Sequence, residues 1–200
     1  MLAGAAGLAA GLAGCLGGGS TAEEPADTPD LGAPYLGADS RESADAVVLA
    51  FADFRCSHCK TFKQEVLPPL REELLGDGRV RFEHHDFPVV DAWSWRVAMA
   101  ARSAQEQAGN DAFWAFADGA YRRQTETDSY ELLRSVADGT AADADTVVED
   151  VRGERHRAVV EADQTTGSEM GVGGTPTVFV NGQQVAAGYD PIASAVRSAL

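Results

Sequence analysis

The chain has 200 residues, 44% of them apolar, which is enough for one good core and gives no reason to expect two full domains. With 31 acidic against 16 basic residues the formal charge is -15, so nucleic acid and an anionic membrane surface are both poor partners. Lysine occurs only at positions 60 and 63, and every other basic residue is arginine.

Met1 to Gly14 is almost wholly Ala, Gly and Leu, too short and too glycine-rich for a comfortable transmembrane helix. It ends in Leu12-Ala13-Gly14-Cys15, which resembles a lipobox, where a signal peptide is cleaved and the new N-terminal cysteine receives lipid. The expectation is a signal peptide over residues 1–14 and lipidation at Cys15. The only membrane attachment is then this lipid anchor, and the mature chain sits outside the cytoplasm, where disulfides persist. The departure is that no Lys or Arg precedes the apolar stretch, which a start codon placed too far downstream would explain; an unlipidated tail is the alternative. Residues 15–44 mix Gly, Ser, Pro, Asp and Glu and cannot bury enough apolar surface to offset their ordering entropy. They read as a flexible tether with a reach of about 30 Å. The folded domain is expected over residues 45–200.

Ala46 to Phe51 is a continuous apolar run, the pattern of a strand covered on both faces. It leads into Cys56-Ser57-His58-Cys59 and then a helix-patterned segment from Lys60 to Leu75. After a turn at Gly76 to Gly78, the segment Arg79 to Phe87 alternates in strand fashion, and a strand that follows a helix implies a parallel unit. His84 and His85, adjacent on that strand, should point to opposite faces, one inward and one solvated. From about 92 to 170 the pattern is helical, with segments Trp93 to Gln107, Asp111 to Tyr121, Tyr130 to Ala137 and Ala144 to Glu169. The aromatic set Trp93, Trp95, Phe113, Trp114 and Phe116 reads as the core of this insertion rather than a substrate platform. Thr177 to Val180 and Gln184 to Ala187 then flank Asn181-Gly182, a hairpin signal, and Pro191 opens a final helix to Leu200.

The CxxC admits three chemistries: a redox pair, half of a zinc site, or an ordinary structural disulfide. At a strand-to-helix junction the first cysteine meets unpaired backbone N–H groups and the positive end of the helix dipole, which favour its thiolate. Cys59, one turn deeper, should be better shielded. A zinc site needs about four ligands, and beyond Cys56, Cys59 and His58 the sequence offers only His84, His85 and His156. No metal is therefore expected. Lys60 and Lys63, close behind the motif, read as an exposed helix face and are not counted as catalytic. An acidic chain this poor in lysine also resembles proteins of extreme halophiles, although a GC-rich genome gives the same bias.

Strand, CxxC helix, strand, helical insertion, hairpin and final helix is the order of an α/β thioredoxin fold with an inserted helical subdomain. Over roughly residues 36–200 the chain resembles the DsbA-like thioredoxin-fold disulfide oxidoreductases. Three matches carry the resemblance: Phe51-Ala52-Asp53-Phe54-Arg55-Cys56-Ser57-His58-Cys59; Asp86-Phe87-Pro88 followed by Ala112-Phe113-Trp114; and Gly173-Gly174-Thr175-Pro176-Thr177. The resemblance implies a cis peptide bond at Pro176, a client-binding role for Thr175 and Pro176, and a tuning role for His58 beside the Cys56 thiolate. It implies a disulfide-forming oxidase acting on client proteins through Cys56 and Cys59, with no bound cofactor. A membrane protein or thiol carrier would re-oxidise it. A reductase or isomerase of the same fold is the alternative within the class, and a redox-inactive or metal-binding module the alternative outside it. Ser57 departs from the proline often found at its position.

Overall fold

The computed structural model of the chain describes residues 31–126 and 128–200. The expected signal peptide, Cys15 and residues 16–30 of the expected tether lie outside the described residues. A five-stranded sheet forms the centre in the order β1-β3-β2-β4-β5. Its strands are β1 (Tyr35–Gly37), β2 (Ala46–Ala52), β3 (Val80–Asp86), β4 (Thr177–Val180) and β5 (Gln183–Val185). β2 runs parallel to β3, with Ala46 opposite Val80 and Ala52 opposite Asp86, and antiparallel to β4. That register brings the C-terminal end of β2 beside the start of β4, which is where the cysteines and Thr175-Pro176 converge.

The fold begins earlier than composition suggests. Within the expected tether, Tyr35–Gly37 pairs antiparallel with β3, and Asn110 clamps Tyr35 by accepting from its N–H and donating to its carbonyl, both at 2.8 Å. Gly37 is required there: at φ +85° a Cβ would come within 2.1 Å of the Val80 carbonyl oxygen. One short strand with polar neighbours leaves little compositional trace.

The helix after the cysteines is α1 (Ser57–Thr61), a π-helical turn (Phe62–Val66) and α2 (Leu67–Leu74) in unbroken succession. Pro68 and Pro69 stand at the start of α2 and lack the N–H groups that a regular α-helix would use there, and the wider π turn absorbs the mismatch. The insertion comprises α3 (Ala92–Ala108), α4 (Asn110–Arg122), α5 (Tyr130–Ala137), α6 (Ala144–Arg152) and α7 (Arg157–Glu169). The long helix expected over Ala144 to Glu169 is two helices, parted after Gly153 where Glu154 takes a left-handed φ of 54°. The break lets α7 turn back against β3. α8 (Tyr189–Ala199) closes the chain, with Pro191 in its first turn.

All seven residues of β3 are buried, and this corrects the expectation that one of the two histidines is solvated. Helices cover both faces. His84 lies among Phe54, Phe113 and Trp114, whereas His85 stacks on Phe51 at 5.0 Å and meets Asp163 of α7. α7 comes close at Gly167, where a Cβ would sit 2.8 Å from the Phe87 ring and 2.9 Å from that of Phe51. Phe113, Trp114 and Phe116 are buried in the main core, as expected of the insertion, while Trp93 and Trp95 are half-buried at its edge.

Candidate active site

β2 ends at Ala52, and Asp53 turns the chain toward the cysteines. The Asp53 side chain, 1% exposed, accepts from Arg55 N at 2.7 Å through Oδ1 and from Val89 N and Val90 N at 2.8 and 2.9 Å through Oδ2. One carboxylate thus fixes both the approach to Cys56 and the loop after β3. Cys56 caps the N-terminus of α1 and Cys59 lies within its first turn. Both thiols are free, so the structure is that of the reduced pair.

The two sulfurs are held differently. Cys56 is 9% exposed and Cys59 only 1%. The Cys56 thiol is pulled down to about 5, chiefly by a hydrogen bond from Cys59, with further help at Thr175 and from the backbone N–H groups of Cys59 and His58; burial opposes the shift. Cys59 is driven far above the ordinary thiol range by the same hydrogen bond to Cys56 and by burial. Its sulfur accepts from Asp53 N at 3.4 Å and lines a cavity of about 20 Å³ together with Phe62, Lys63, His84, Trp114 and Tyr121. At neutral pH the reduced pair is therefore a thiolate at Cys56 and a thiol at Cys59.

The loop before β4 completes the arrangement. Thr175-Pro176 is a cis peptide bond, and the Thr175 carbonyl oxygen stands 3.2 Å from Cys56 Sγ. Thr177 Oγ1 donates to Gly174 O at 2.7 Å and holds the loop closed. Both Thr175 and Pro176 are half-buried, so an edge of the loop stays accessible beside the sulfur.

His58 is exposed, and its backbone N–H is the group that reaches the Cys56 sulfur. Lys63 differs from the solvated residue expected. It is largely buried, pairs with Asp118 at 2.8 Å and stands 4.7 Å over the Trp114 ring. His84 and His85 are committed to carboxylates, His84 to Asp86 at 3.0 Å and His85 to Asp163 at 2.7 Å. Among the described residues, the cluster with spacing suited to a metal ion is Glu106, Asp150 and His156, on the insertion and apart from the cysteines. Its carboxylates are already engaged: Arg155 binds Glu106 with two hydrogen bonds and Ser103 donates to Asp150 at 2.6 Å.

Three supports had no assigned role in the sequence. Asp53 stands within the quoted motif, where its spacing gives no hint of the loop it pins. Gln124, in the short turn between α4 and α5 of the insertion, donates from Nε2 to Phe54 O at 2.8 Å and to Cys56 O at 2.9 Å. Arg55 pairs with Asp91 at 3.1 Å, and Asp91 also caps α3 by accepting from Trp93 N and Ser94 N. Only the tertiary structure brings Gln124 and Asp91 to residues more than thirty positions earlier.

A pair of cysteines with opposed proton affinities at a helix N-terminus, facing a cis-proline loop across a thioredoxin sheet, defines a thiol-disulfide oxidoreductase. A family model described as thioredoxin matches residues 34–196, and the chain belongs to that family, in its DsbA-like branch with a helical insertion. It is 28% identical over 162 residues to the probable disulfide bond formation protein D of Bacillus anthracis, covering 78% of this chain and 74% of that protein. To disulfide bond formation protein D of Bacillus subtilis it is 27% identical over 176 residues, 84% of this chain and 78% of the other. The crystal structure of oxidised BdbD from Bacillus subtilis superposes with a TM-score of 0.76 at 26% identity, covering 84% of this chain and 92% of that one. DsbA of Chlamydia trachomatis, 16% identical, shares the fold with a TM-score of 0.73 over 82% of this chain and 88% of that one.

Proposed function

We propose that the chain is a disulfide-forming oxidase for exported client proteins. A client thiolate attacks Cys56 Sγ of the oxidised enzyme, the Cys56–Cys59 bond breaks, and Cys59 leaves and takes up a proton. A second client thiolate then attacks the client sulfur of the mixed disulfide and expels Cys56 as its thiolate. Two electrons have moved from the client to the cysteine pair. A membrane redox protein or thiol carrier then removes them, and no bound cofactor is needed. The observation that carries this direction is the depressed Cys56: a thiolate stable at neutral pH favours the reduced enzyme and makes the disulfide a stronger oxidant.

In this reading Cys56 is the attacked sulfur, Cys59 the resolving one, and His58 adds to the donors around the thiolate. Thr175 and Pro176 receive an extended client segment by strand addition; proline covers the sulfurs without competing for them, since it has no N–H. The enzyme works outside the cytoplasm, held at the membrane by lipid on Cys15. The names of the Bacillus relatives support the disulfide-forming direction. Among the described residues no helix is long and apolar enough to cross a membrane, which is compatible with a lipid anchor.

The test is single-turnover oxidation of a reduced dithiol peptide by the oxidised enzyme, with Cys59→Ser as the trap. The expected result is a peptide disulfide with the native protein and an accumulating Cys56-linked mixed disulfide when Cys59→Ser meets a peptide disulfide. Failure of the oxidised enzyme to oxidise the peptide, with efficient reduction of peptide disulfides instead, would establish the reductase.

A further inference from the structure

A cavity of about 280 Å³ opens on the insertion between α3, α5, α6 and α7, lined among others by Trp95, Arg96, Tyr130, Arg152 and Arg157. Three guanidinium groups around one cavity are unexpected in a chain of net charge -15. Each lies over an aromatic ring: Arg96 over Trp93 at 4.8 Å, Arg152 over Tyr130 at 4.8 Å and Arg157 over Trp95 at 4.7 Å. Stacking holds a guanidinium by its face and leaves the N–H donors of its edge directed outward.

Carboxylates are abundant in this chain, and most of its fourteen arginines have one. Ion pairs occupy Arg41, Arg55, Arg79, Arg81, Arg102, Arg123, Arg134, Arg155, Arg157 and Arg197. Among the described residues, Arg71, Arg96, Arg122 and Arg152 have none, and two of these line the same cavity. Arg157 is partly neutralised by Glu161 at 2.8 Å and by Glu154, also at the cavity, at 3.4 Å. Arg96 and Arg152 therefore hold the unanswered positive charge, Arg96 donating only a long 3.4 Å bond to Ala92 O.

A short run of contacts links the cavity to the cysteine motif. Ala92, on its rim, follows Asp91, whose carboxylate holds the guanidinium of Arg55, the residue before Cys56. Tyr130 packs edge-on against Trp93 at 5.4 Å, in the first turn of α3.

We propose that this cavity is a subsite for a carboxylate of the client polypeptide, gripped by Arg96 and Arg152, and that it makes the enzyme favour clients with acidic residues near their cysteines. The proposal rests on the reading of the chain as an enzyme for client thiols. Direct arginine–carboxylate contact acts at hydrogen-bond distance, where salt screens little. Without such a subsite, the net charge of the chain would make an acidic peptide the slower substrate.

The experiment compares two dithiol peptides, identical except that Glu residues flanking the cysteines are replaced by Gln in the second, as substrates of the oxidised enzyme at about 0.15 M salt. The native enzyme should oxidise the Glu peptide with a kcat/KM about tenfold higher, equivalent to about 1.4 kcal/mol. The double variant Arg96→Gln/Arg152→Gln should bring that ratio to about one, leaving the rate for the Gln peptide unchanged. Arg71→Gln/Arg122→Gln removes the same charge elsewhere and should keep the native ratio. Free N-acetylglutamate in excess should slow the Glu peptide and spare the Gln peptide. A native ratio of one or below, a ratio that survives the cavity variant, an equal loss in the control variant, or equal inhibition of both peptides would each overturn the proposal. If neither peptide were oxidised, the oxidase reading itself would fail.

Discussion

The cysteine pair and the polar cluster behind β3 both bury ionisable groups, and they satisfy them in opposite ways. Behind β3 every charge has a counter-charge. Arg102, fully buried, donates from Nε to Asp86 at 2.6 Å and also pairs with Asp163. Asp163 binds His85, which also reaches Glu83 at 3.4 Å, and Glu83 in turn pairs with Arg41 and with Arg81. Despite burial, Glu83 is held far below the usual carboxylate range by hydrogen bonds from His85, Arg41 and Arg81, and Asp86 likewise by the Arg102 charge and by His84. At the cysteines, among the described residues, no cation pairs with the Cys56 sulfur. Cys56 is stabilised by a neighbouring thiol, which exists only while the Cys56–Cys59 bond is open, and by backbone N–H groups that remain in place when the sulfur changes partner. A permanent ion pair would resist the exchange of bonds that the reaction requires. The network instead ties α3 and α7 to the sheet, joining the insertion to the strands that carry the site.

The sharpest way to break this comparison is Arg102→Met. It leaves Asp86 fully buried without the Arg102 guanidinium and Asp163 with His85 as its remaining counter-charge, and should cost about 3–5 kcal/mol in denaturant unfolding. If the two regions are separate devices, the titration of Cys56 in the folded variant should not move. A smaller effect sharpens the other side: the rate of Cys56 alkylation should rise with a midpoint near pH 5 and be flat above about pH 7, because the thiolate is already formed. A midpoint near the free-thiol value of about 8.5 would show that the donors around Cys56 do not act as described.

The smallest effect concerns His85. Burial alone would lower its affinity for protons, but Asp163 and Glu83 overcome this and raise it above the ordinary histidine range. A raised value means stability that is complete below about pH 6.5 and lost as pH rises through the folded value. Native protein should accordingly lose part of its unfolding free energy above neutrality, and His85→Gln, with nothing to titrate there, should flatten that slope. Equal slopes in both proteins would remove His85 from the network's charge balance.

The legibility of these two regions in the sequence also differed. The CxxC, the Gly-Thr-Pro loop and the strand and helix order are local signals: apolar runs, periodicity, a hairpin dipeptide. They place α5 at Tyr130–Ala137 to the residue. The network behind β3 is made of long-range pairs such as His85–Asp163, 78 positions apart, and no periodicity encodes them. For that reason one of His84 and His85 read as solvated: alternation reveals which residues share a face but not that a helix from the far end of the insertion covers the second face. β1 was missed for a similar cause, since three residues pairing with β3 resemble tether in composition. The split of the helix expected over Ala144 to Glu169 came from Glu154 taking a left-handed conformation that glycine would have announced and glutamate does not.

The most direct test of the account is the equilibrium reduction potential of the Cys56/Cys59 pair, measured against glutathione at pH 7. Stabilisation of the Cys56 thiolate predicts a value well above the roughly -270 mV of thioredoxin, by about 30 mV for each 1.4 kcal/mol by which the reduced form is favoured. A potential at or below that of thioredoxin would contradict the account, because the depressed thiolate would then confer no oxidising power.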